Sequence, residues 1–547
     1  MVAFAALQRK VTMYDFIIVG GGSAGCVLAN RLSRDPAHQV LLLEAGPSDD
    51  TPLVRAPMGM VKLYESPVFN WLYWSQNEKS QNGRKVFCPQ GKVLGGGSAI
   101  NAMLYVRGNA WDYDNWEAQG NRGWGYRNML RHFRNCEFNE NFDDEYHGRE
   151  GTLNVQSLAK PHPHAERMLL AGLQAGHPFN PDFNGATQEG MGMYQVTIKD
   201  RQRCSAARAF LQPVIGRPNL KVVTGAQTSR IDIVGGRAEG VAYEHDGHLV
   251  TVKAKREVIV SAGAFNSPKL LMLSGVGPRA ELEQHGIEVV VDLPGVGQNL
   301  QEHVDMVIGT QSRIGDTVSQ TLKGMAQAVM GLIQYNLGRT GWISKPVVES
   351  GGFIKSSDQV VTPDIQIQST TSLFKDHGLD KTVMKQYGYS MHVTLLRPKS
   401  RGQVTLKNAD FRDDPLIQLN MLDEDEDVKC LLAGVKKGRE ILAQPAYDRH
   451  RGAELFPGEH VQSDDQLEKA LRAKANHVYH PVGTCKMGND PLAVVDDQLR
   501  VHGVDGLRVI DASIMPTIVS GNTNAPAMAI GDRGAELILN EKIDKVD

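Results

Sequence analysis

The chain lacks most marks of a specialised protein. Its six cysteines (Cys26, Cys88, Cys136, Cys204, Cys430 and Cys485) contain no C-x-x-C pair, a pattern that fits neither a zinc site nor a disulfide framework. No other metal site is expected. Charge of one sign is also missing: 59 Lys and Arg stand against 62 Asp and Glu, a net charge of -3. With no concentrated basic run and no acidic tail, nothing calls for a nucleic-acid partner. No uninterrupted apolar run approaches the ~20 residues that span a bilayer. The opening MVAFAALQRKVT has no apolar region ending in a cleavage site, so no secretory signal is expected. These absences point to the cytoplasm, and they leave peripheral contact with the inner face of the cytoplasmic membrane open. Oligomeric state stays open as well. There is no internal repeat and no low-complexity linker.

Glycine is plentiful, 56 of 547 residues, above the usual ~7%, so many backbone positions call for close approach or positive φ. At 41% hydrophobic and 22% charged, the chain has a globular composition. Its length suits two domains or one heavily elaborated one. The first motif comes early. A β-branched and aromatic run, Tyr14 to Val19, leads into Gly20, Gly22 and Gly25 in G-x-G-x-x-G spacing, and a helical pattern follows from Ser23 to Arg34. In such a turn the first glycine permits the bend, the second admits a pyrophosphate to the backbone, and the third lets helix and strand pack closely. The phosphate then meets free N–H groups at a helix N-terminus. A second strand-like run, Gln39 to Leu43, ends in Glu44, placed to hold a ribose diol and to repel a 2′-phosphate. FAD or NAD is favoured over NADP, and the motif does not choose between the first two.

Three more segments carry information: GKVLGGGSAIN (91–101), SAGAFNSPKLLMLSGVG (261–277) and LPGVGQNLQEH (293–303). Together with the glycine turn they resemble the glucose-methanol-choline (GMC) oxidoreductase family, whose two signature regions match Gly91–Tyr105 and Gly263–Gly277. The resemblance runs from about Tyr14 to Leu539. It is nearest to bacterial alkanol and choline dehydrogenases through FNWLY (69–73), ESGGFIKS (349–356) and NTNAPAMAIGDRGAELI (522–538). It implies an α/β, elaborated α+β fold. A Rossmann-like FAD-binding domain would be assembled from 1–155, 217–310 and 470–547, and a substrate domain with a large antiparallel sheet and helices from 156–216 and 311–469. FAD is implied over NAD. The expected cofactor contacts are Gly20, Gly22, Ser23, Ala24, Gly25 and Glu44, then Val93, Gly96, Gly97, Asn101, Ala102 and Met103, and finally Asp511, Asn522 and Thr523. Some relatives attach flavin covalently to a histidine directly before the signature asparagine. Here that position is Ile100, so a non-covalent, dissociable FAD is expected.

The resemblance also nominates the chemistry. The family's catalytic histidine falls on His480, within YHPVGTCKMG, and its partner on Asn522. A neutral imidazole can take the hydroxyl proton of an alcohol while hydride leaves carbon for the flavin, and an asparagine can hold the substrate oxygen. His477 reads as a neighbour and Cys485 as packing. Glu349 is a candidate for binding a quaternary ammonium substrate, although a structural role is the stronger reading. Asn522, Thr523 and Asn524 ahead of Pro526 read as a helix start, and the resemblance sets that end beside the flavin. Strands are expected at Tyr389–Leu396 and Gly402–Leu406. In 321–343, Leu322, Met325, Val329 and Ile333 fall at helical spacing, which suits a channel wall, a membrane surface or, as the favoured reading, packing on the core. The expected activity is FAD-dependent oxidation of a primary alcohol to the aldehyde, with electrons passed to a quinone or similar acceptor. The rivals are an alcohol oxidase using O2, a choline dehydrogenase, a flavoprotein without turnover and a nicotinamide enzyme.

Overall fold

The computed structural model describes residues 12–539. The opening segment read as leaderless lies outside them, apart from Thr12. Among the described residues, one seven-stranded sheet is built on the glycine turn. Its parallel part runs Leu220–Val223, Val40–Leu43, Met13–Val19, His248–Val260 and Leu507–Val509. The long strand His248–Val260 continues into an antiparallel meander with Arg237–His245 and Gln227–Val234. Met13–Val19 and Val40–Leu43 read as continuous apolar runs because they lie inside a parallel sheet covered on both faces. The helix Ser23–Leu32 joins them, and every residue after Ser23 is buried. It is covered by the last helix, Asn524–Leu539, which approaches so closely that a Cβ on Gly531 would lie 2.8 Å from the Ala24 carbonyl oxygen. Asn524, Ala525 and Pro526 form its first turn, close to the expected start.

A second seven-stranded sheet is antiparallel throughout, in the order Arg451–Phe456, Val304–Ser312, Gly388–Leu395, Ile365–Thr370, Val348–Ile354 and Gly190–Met193. Asn476–His477 pairs with the start of Val304–Ser312. That strand crosses the boundary drawn at 310/311, and the 470–547 segment lends a short strand to this sheet. The strands expected at Tyr389–Leu396 and Gly402–Leu406 lie at Gly388–Leu395 and Gln403–Thr405. Period-two alternation gives the sheet two different faces. Met306, Ile308, Ile365, Ile367, Met391 and Val393 form a core cluster. The helix Asp425–Leu442 packs on it through Gly434 and Gly438, whose Cβ atoms would meet Ile365 and Met391 at 2.8 and 3.0 Å. Asp305, Val307, Gln368, Thr370 and His392 look the other way, into a cavity against the first sheet.

The favoured reading of 321–343 is corrected. A helix forms at Leu322–Gly338, capped by Thr321 Oγ1 accepting the Gly324 N–H, but only Gly324 and Gly331 in it are buried. It rests on the protein along this glycine stripe, Gly331 sitting against the Trp342 indole, and its apolar side chains point away from the core.

Polar groups lock the last helix in place. Buried Asp532 accepts from Arg31 Nε at 2.6 Å, His132 Nδ1 at 2.9 Å and Asn135 Nδ2 at 3.3 Å. Burial opposes ionisation of Asp532, but His132 and Arg31 override it and hold the carboxyl well below its ordinary value. The stabilisation is complete above the ordinary aspartate value of 3.8 and drains away as pH falls toward the depressed one. Asp532→Ala strands Arg31 as a buried, unpaired cation, which costs about 3–5 kcal/mol. Thermal unfolding at neutral pH should therefore show a lowered midpoint, and the difference from the parent should shrink in acid below the ordinary aspartate range.

Candidate active site

The glycine turn has the geometry a dinucleotide needs. Gly20 has φ +105°, and a Cβ there would strike the Ser261 carbonyl oxygen at 2.3 Å. A Cβ on Gly25 would lie 1.9 Å from the Gly20 carbonyl oxygen, so this glycine sets the strand-to-helix contact. Gly22 differs: a Cβ there would meet nothing nearer than Ser261 O at 3.9 Å, and the residue lines the cavity. As N-cap of Ser23–Leu32 it offers no side-chain acceptor, which leaves the first-turn N–H groups for an anion. Glu44, buried at the end of its strand, takes the Gly21 N–H at 2.9 Å and the Gly46 N–H at 2.8 Å. Burial raises its pKa to about 7 against the pull of these two donors.

The triple glycine continues the wall. Gly95 donates to the Gly21 carbonyl at 2.7 Å, and a Cβ on Gly96 would sit 2.8 Å from Gly22 Cα. Gly97 and Gly263 line the cavity with open space where a Cβ would be. A cradle that any side chain would fill, ending at a helix N-terminus, fits a flat dinucleotide cofactor. Asn101 Oδ1 caps Met103 N at 3.0 Å and is itself held by Arg203 Nη1 at 2.9 Å. Asp511 takes the Gly263 N–H at 2.8 Å and the Ser267 hydroxyl at 2.6 Å, joining the third glycine segment to the C-terminal region.

Beyond the glycines, a chain of hydrogen bonds dictates which nitrogen of His480 is bare. His303 Nε2 lies 3.1 Å from the Leu396 carbonyl, which can only accept, so that nitrogen carries a proton. Burial drives the His303 pKa down to about 3, so the ring is neutral and its Nδ1 is a lone pair. His480 Nδ1, 3.0 Å away, must donate to it. Burial, and then the neighbouring His303 and His477, hold the His480 pKa well below the ordinary imidazole value. The ring is neutral, protonated on Nδ1 and unprotonated on Nε2. That Nε2 accepts from Asn522 Nδ2 at 3.2 Å. Asn522 is turned this way by Gln366 Nε2, which donates to its Oδ1 at 3.2 Å. Glu302 steadies the arrangement through the backbone N–H groups of His480 (2.6 Å) and His303 (2.9 Å). Its other oxygen lies 3.0 Å from His477 Nδ1. Burial disfavours charge on His477, yet Glu302 keeps its pKa well above the ordinary value.

Gly20, Gly22, Ser23, Ala24, Glu44, Gly96, Gly97, Asn101, Ala102, Met103, Asp511, Asn522, Thr523 and His480 all line one cavity. Gly25 and Val93 do not. Gly25 is sealed beneath Gly20, and Val93 packs with Leu63 and Ala99 in a small core cluster. Glu349 takes the structural role, the stronger of its two readings. Strand alternation puts Val348 on the cavity and Glu349 on the far side, where its carboxylate accepts the His162 N–H at the start of the helix Pro163–Gln174. Sequence reasoning missed His303 and Gln366. His303 closes LPGVGQNLQEH, a segment used only for its likeness, and Gln366 stands in IQIQST as a polar residue alternating with buried isoleucines.

Family models described as GMC oxidoreductase match residues 14–305 and 398–531. The alcohol dehydrogenase (acceptor) of Pseudomonas putida is 46% identical over 97% of this chain and 96% of its own length. Mitochondrial choline dehydrogenase of Mus musculus is 43% identical over 96% of this chain and 89% of its own. The crystal structure of pyridoxine 4-oxidase from Mesorbium loti aligns with a TM-score of 0.88 at 29% identity, covering 97% of this chain and 100% of that one. The chain belongs to the GMC oxidoreductase family of FAD-dependent enzymes.

Proposed function

We propose that this enzyme oxidises an uncharged primary alcohol to the aldehyde, with His480 as base and Asn522 as donor to the substrate oxygen. The reading rests on one observation above all: a neutral imidazole presents a bare Nε2 beside an amide donor, 3.2 Å away, at the wall of the glycine-lined cavity. FAD, when bound, supplies the hydride acceptor. The Gly20–Gly25 turn and the first turn of Ser23–Leu32 would hold its pyrophosphate, and Glu44 its ribose diol. Gly96, Gly97, Asn101–Met103, Asp511 and Thr523 would line the rest. The attachment is non-covalent, since Ile100 offers no nucleophile.

His480 Nε2 takes the hydroxyl proton, and the second Nδ2 proton of Asn522 bonds the oxygen as negative charge develops on it. The imidazolium so formed keeps its Nδ1 proton on His303. Thr523, Asn524 and Ala527 bring the positive end of the last helix to the same cavity, where it favours negative charge. A cationic substrate is disfavoured. Glu349 lies off the cavity, Asp305 is engaged by His392 at 2.5 Å, and Trp71 already carries Lys92 Nζ over its ring at 4.5 Å. Reoxidation is assigned to a quinone-like acceptor, with the enzyme in the cytoplasm and in peripheral contact with the inner face of the membrane.

Under anaerobic conditions, uncharged primary alcohols should bleach the flavin, and a quinone analogue should restore the colour faster than air does. No bleaching by any alcohol would end this reading. His480→Ala should keep its FAD and lose about 10²–10⁴-fold in turnover, while Asn522→Ala should be impaired less; stopped-flow reduction of the flavin separates the two. Because the His480 pKa is depressed, its base form persists as pH falls through the ordinary imidazole value. The pH profile of kcat/KM should accordingly stay on its plateau at about pH 6.5 and fall only below it. His303→Ala frees the tautomer, so kcat should drop with flavin content unchanged.

A further inference from the structure

The helix Leu322–Gly338 is turned inside out relative to an ordinary surface helix. Leu322 and Leu337 are 84% and 85% exposed, and Met325, Val329, Met330, Leu332 and Ile333 are each about half exposed. These residues share one broad face, and the buried Gly324 and Gly331 lie opposite. Seventeen residues at about 1.5 Å each make an apolar ridge roughly 25 Å long. A contiguous apolar patch of this kind marks a contact surface.

The charges along this stretch of the chain have one sign. From 317 to 348 the chain contains Lys323, Arg339 and Lys345 and no Asp or Glu. Lys323 and Arg339 form no ion pair among the described residues, whereas Arg55 and Arg208, whose charges also act on Tyr335 of this helix, pair with Asp50 and Asp200. The ridge carries no Trp or Phe of the kind that anchors in a protein pocket. Leu, Ile, Val and Met flanked by cations match an amphipathic element lying in the headgroup region of a bilayer. The ridge also lies close to the cavity. The turn Trp342–Ser344 beneath it packs on Pro57–Gly59, and Met60, directly after one segment, and Val347, three residues after the other, line the cavity.

We propose that Leu322–Gly338 seats the enzyme on an anionic phospholipid surface, apolar ridge inward, so that the mouth of the active-site cavity opens at the lipid interface. This deepens the peripheral-contact reading above by naming its element, and its evidence is independent of the alcohol chemistry. The test is co-sedimentation of the FAD-loaded enzyme with vesicles of phosphatidylcholine alone or mixed with phosphatidylglycerol. Binding is expected to the mixed vesicles, weaker in high salt, and reduced at least about tenfold in Met325→Asp/Val329→Asp/Ile333→Asp. Turnover of a short, water-soluble alcohol with a dye acceptor should be unchanged in that variant. Lys323→Glu/Arg339→Glu keeps the ridge and should lose affinity only for the anionic vesicles. Parent enzyme left in the supernatant, or equal binding by the triple variant, would refute the proposal. So would a parent dimer that the triple variant converts to monomer without any vesicle binding, since the ridge would then join two copies. Vesicle binding without alcohol turnover would support the docking element while removing the proposed chemistry, and the reverse result would do the opposite.

Discussion

The backbone carbonyl of Leu396 orders the protons of the two imidazoles at the cavity. Because it can only accept, it fixes the proton of His303 on Nε2, and the lone pair left on Nδ1 fixes the proton of His480. Each link has one allowed direction, so the bare nitrogen of His480 follows from a strand-end carbonyl two residues removed along the chain of bonds. Gln366 and Asn522 meet this chain from the other side. Neutral groups alone make up the series, which suits a buried site where an unpaired charge would be costly. Glu302 grips backbone N–H groups and pairs with His477, so it positions His480 without lying against its ring.

The two sheets divide the work. The parallel sheet supplies turns whose backbone is stripped of side chains, which is what a large flat cofactor requires. The antiparallel sheet supplies a face of alternating residues that end the cavity: Asp305, Val307, Gln368, Thr370 and His392. His480 and Asn522 come from neither sheet. They sit on C-terminal segments that cross between the sheets, and Asp532 binds the last helix to Arg31 of the first helix and to His132 of the helix Tyr126–Cys136. Rigidity at the chain's end is therefore part of holding His480 and Asn522 at 3.2 Å.

The glycine turn and its strands were legible in the sequence because their cause is local. Positive φ at Gly20 and the close contact of Gly25 arise within a few residues of each other. Resemblance nominated His480 and Asn522, separated by some forty residues, and the fold sets them side by side. Val93 as a cofactor contact and the lesser, ligand-binding reading of Glu349 find no place on the cavity for a different reason. Each sits next to a residue or segment that does line the cavity, and a shift of one residue in a strand or loop reverses the direction of a side chain. The helix at Leu322–Gly338 misled because 3.6-residue periodicity reports that one face is apolar, but not whether that face meets the core or the outside.

The sequence by itself determined the glycine turn, the carboxylate of Glu44 at the end of the next strand, the absence of a nucleophile at Ile100 and the apolar stripe of 322–338. All of these depend on residue type at short range. Only the tertiary structure decided that His303 faces His480, that Gln366 turns Asn522, that Glu349 faces away from the cavity and that the stripe points outward. Hydrogen-bond direction and burial are set by groups from distant parts of the chain, and no local pattern encodes which of them will meet.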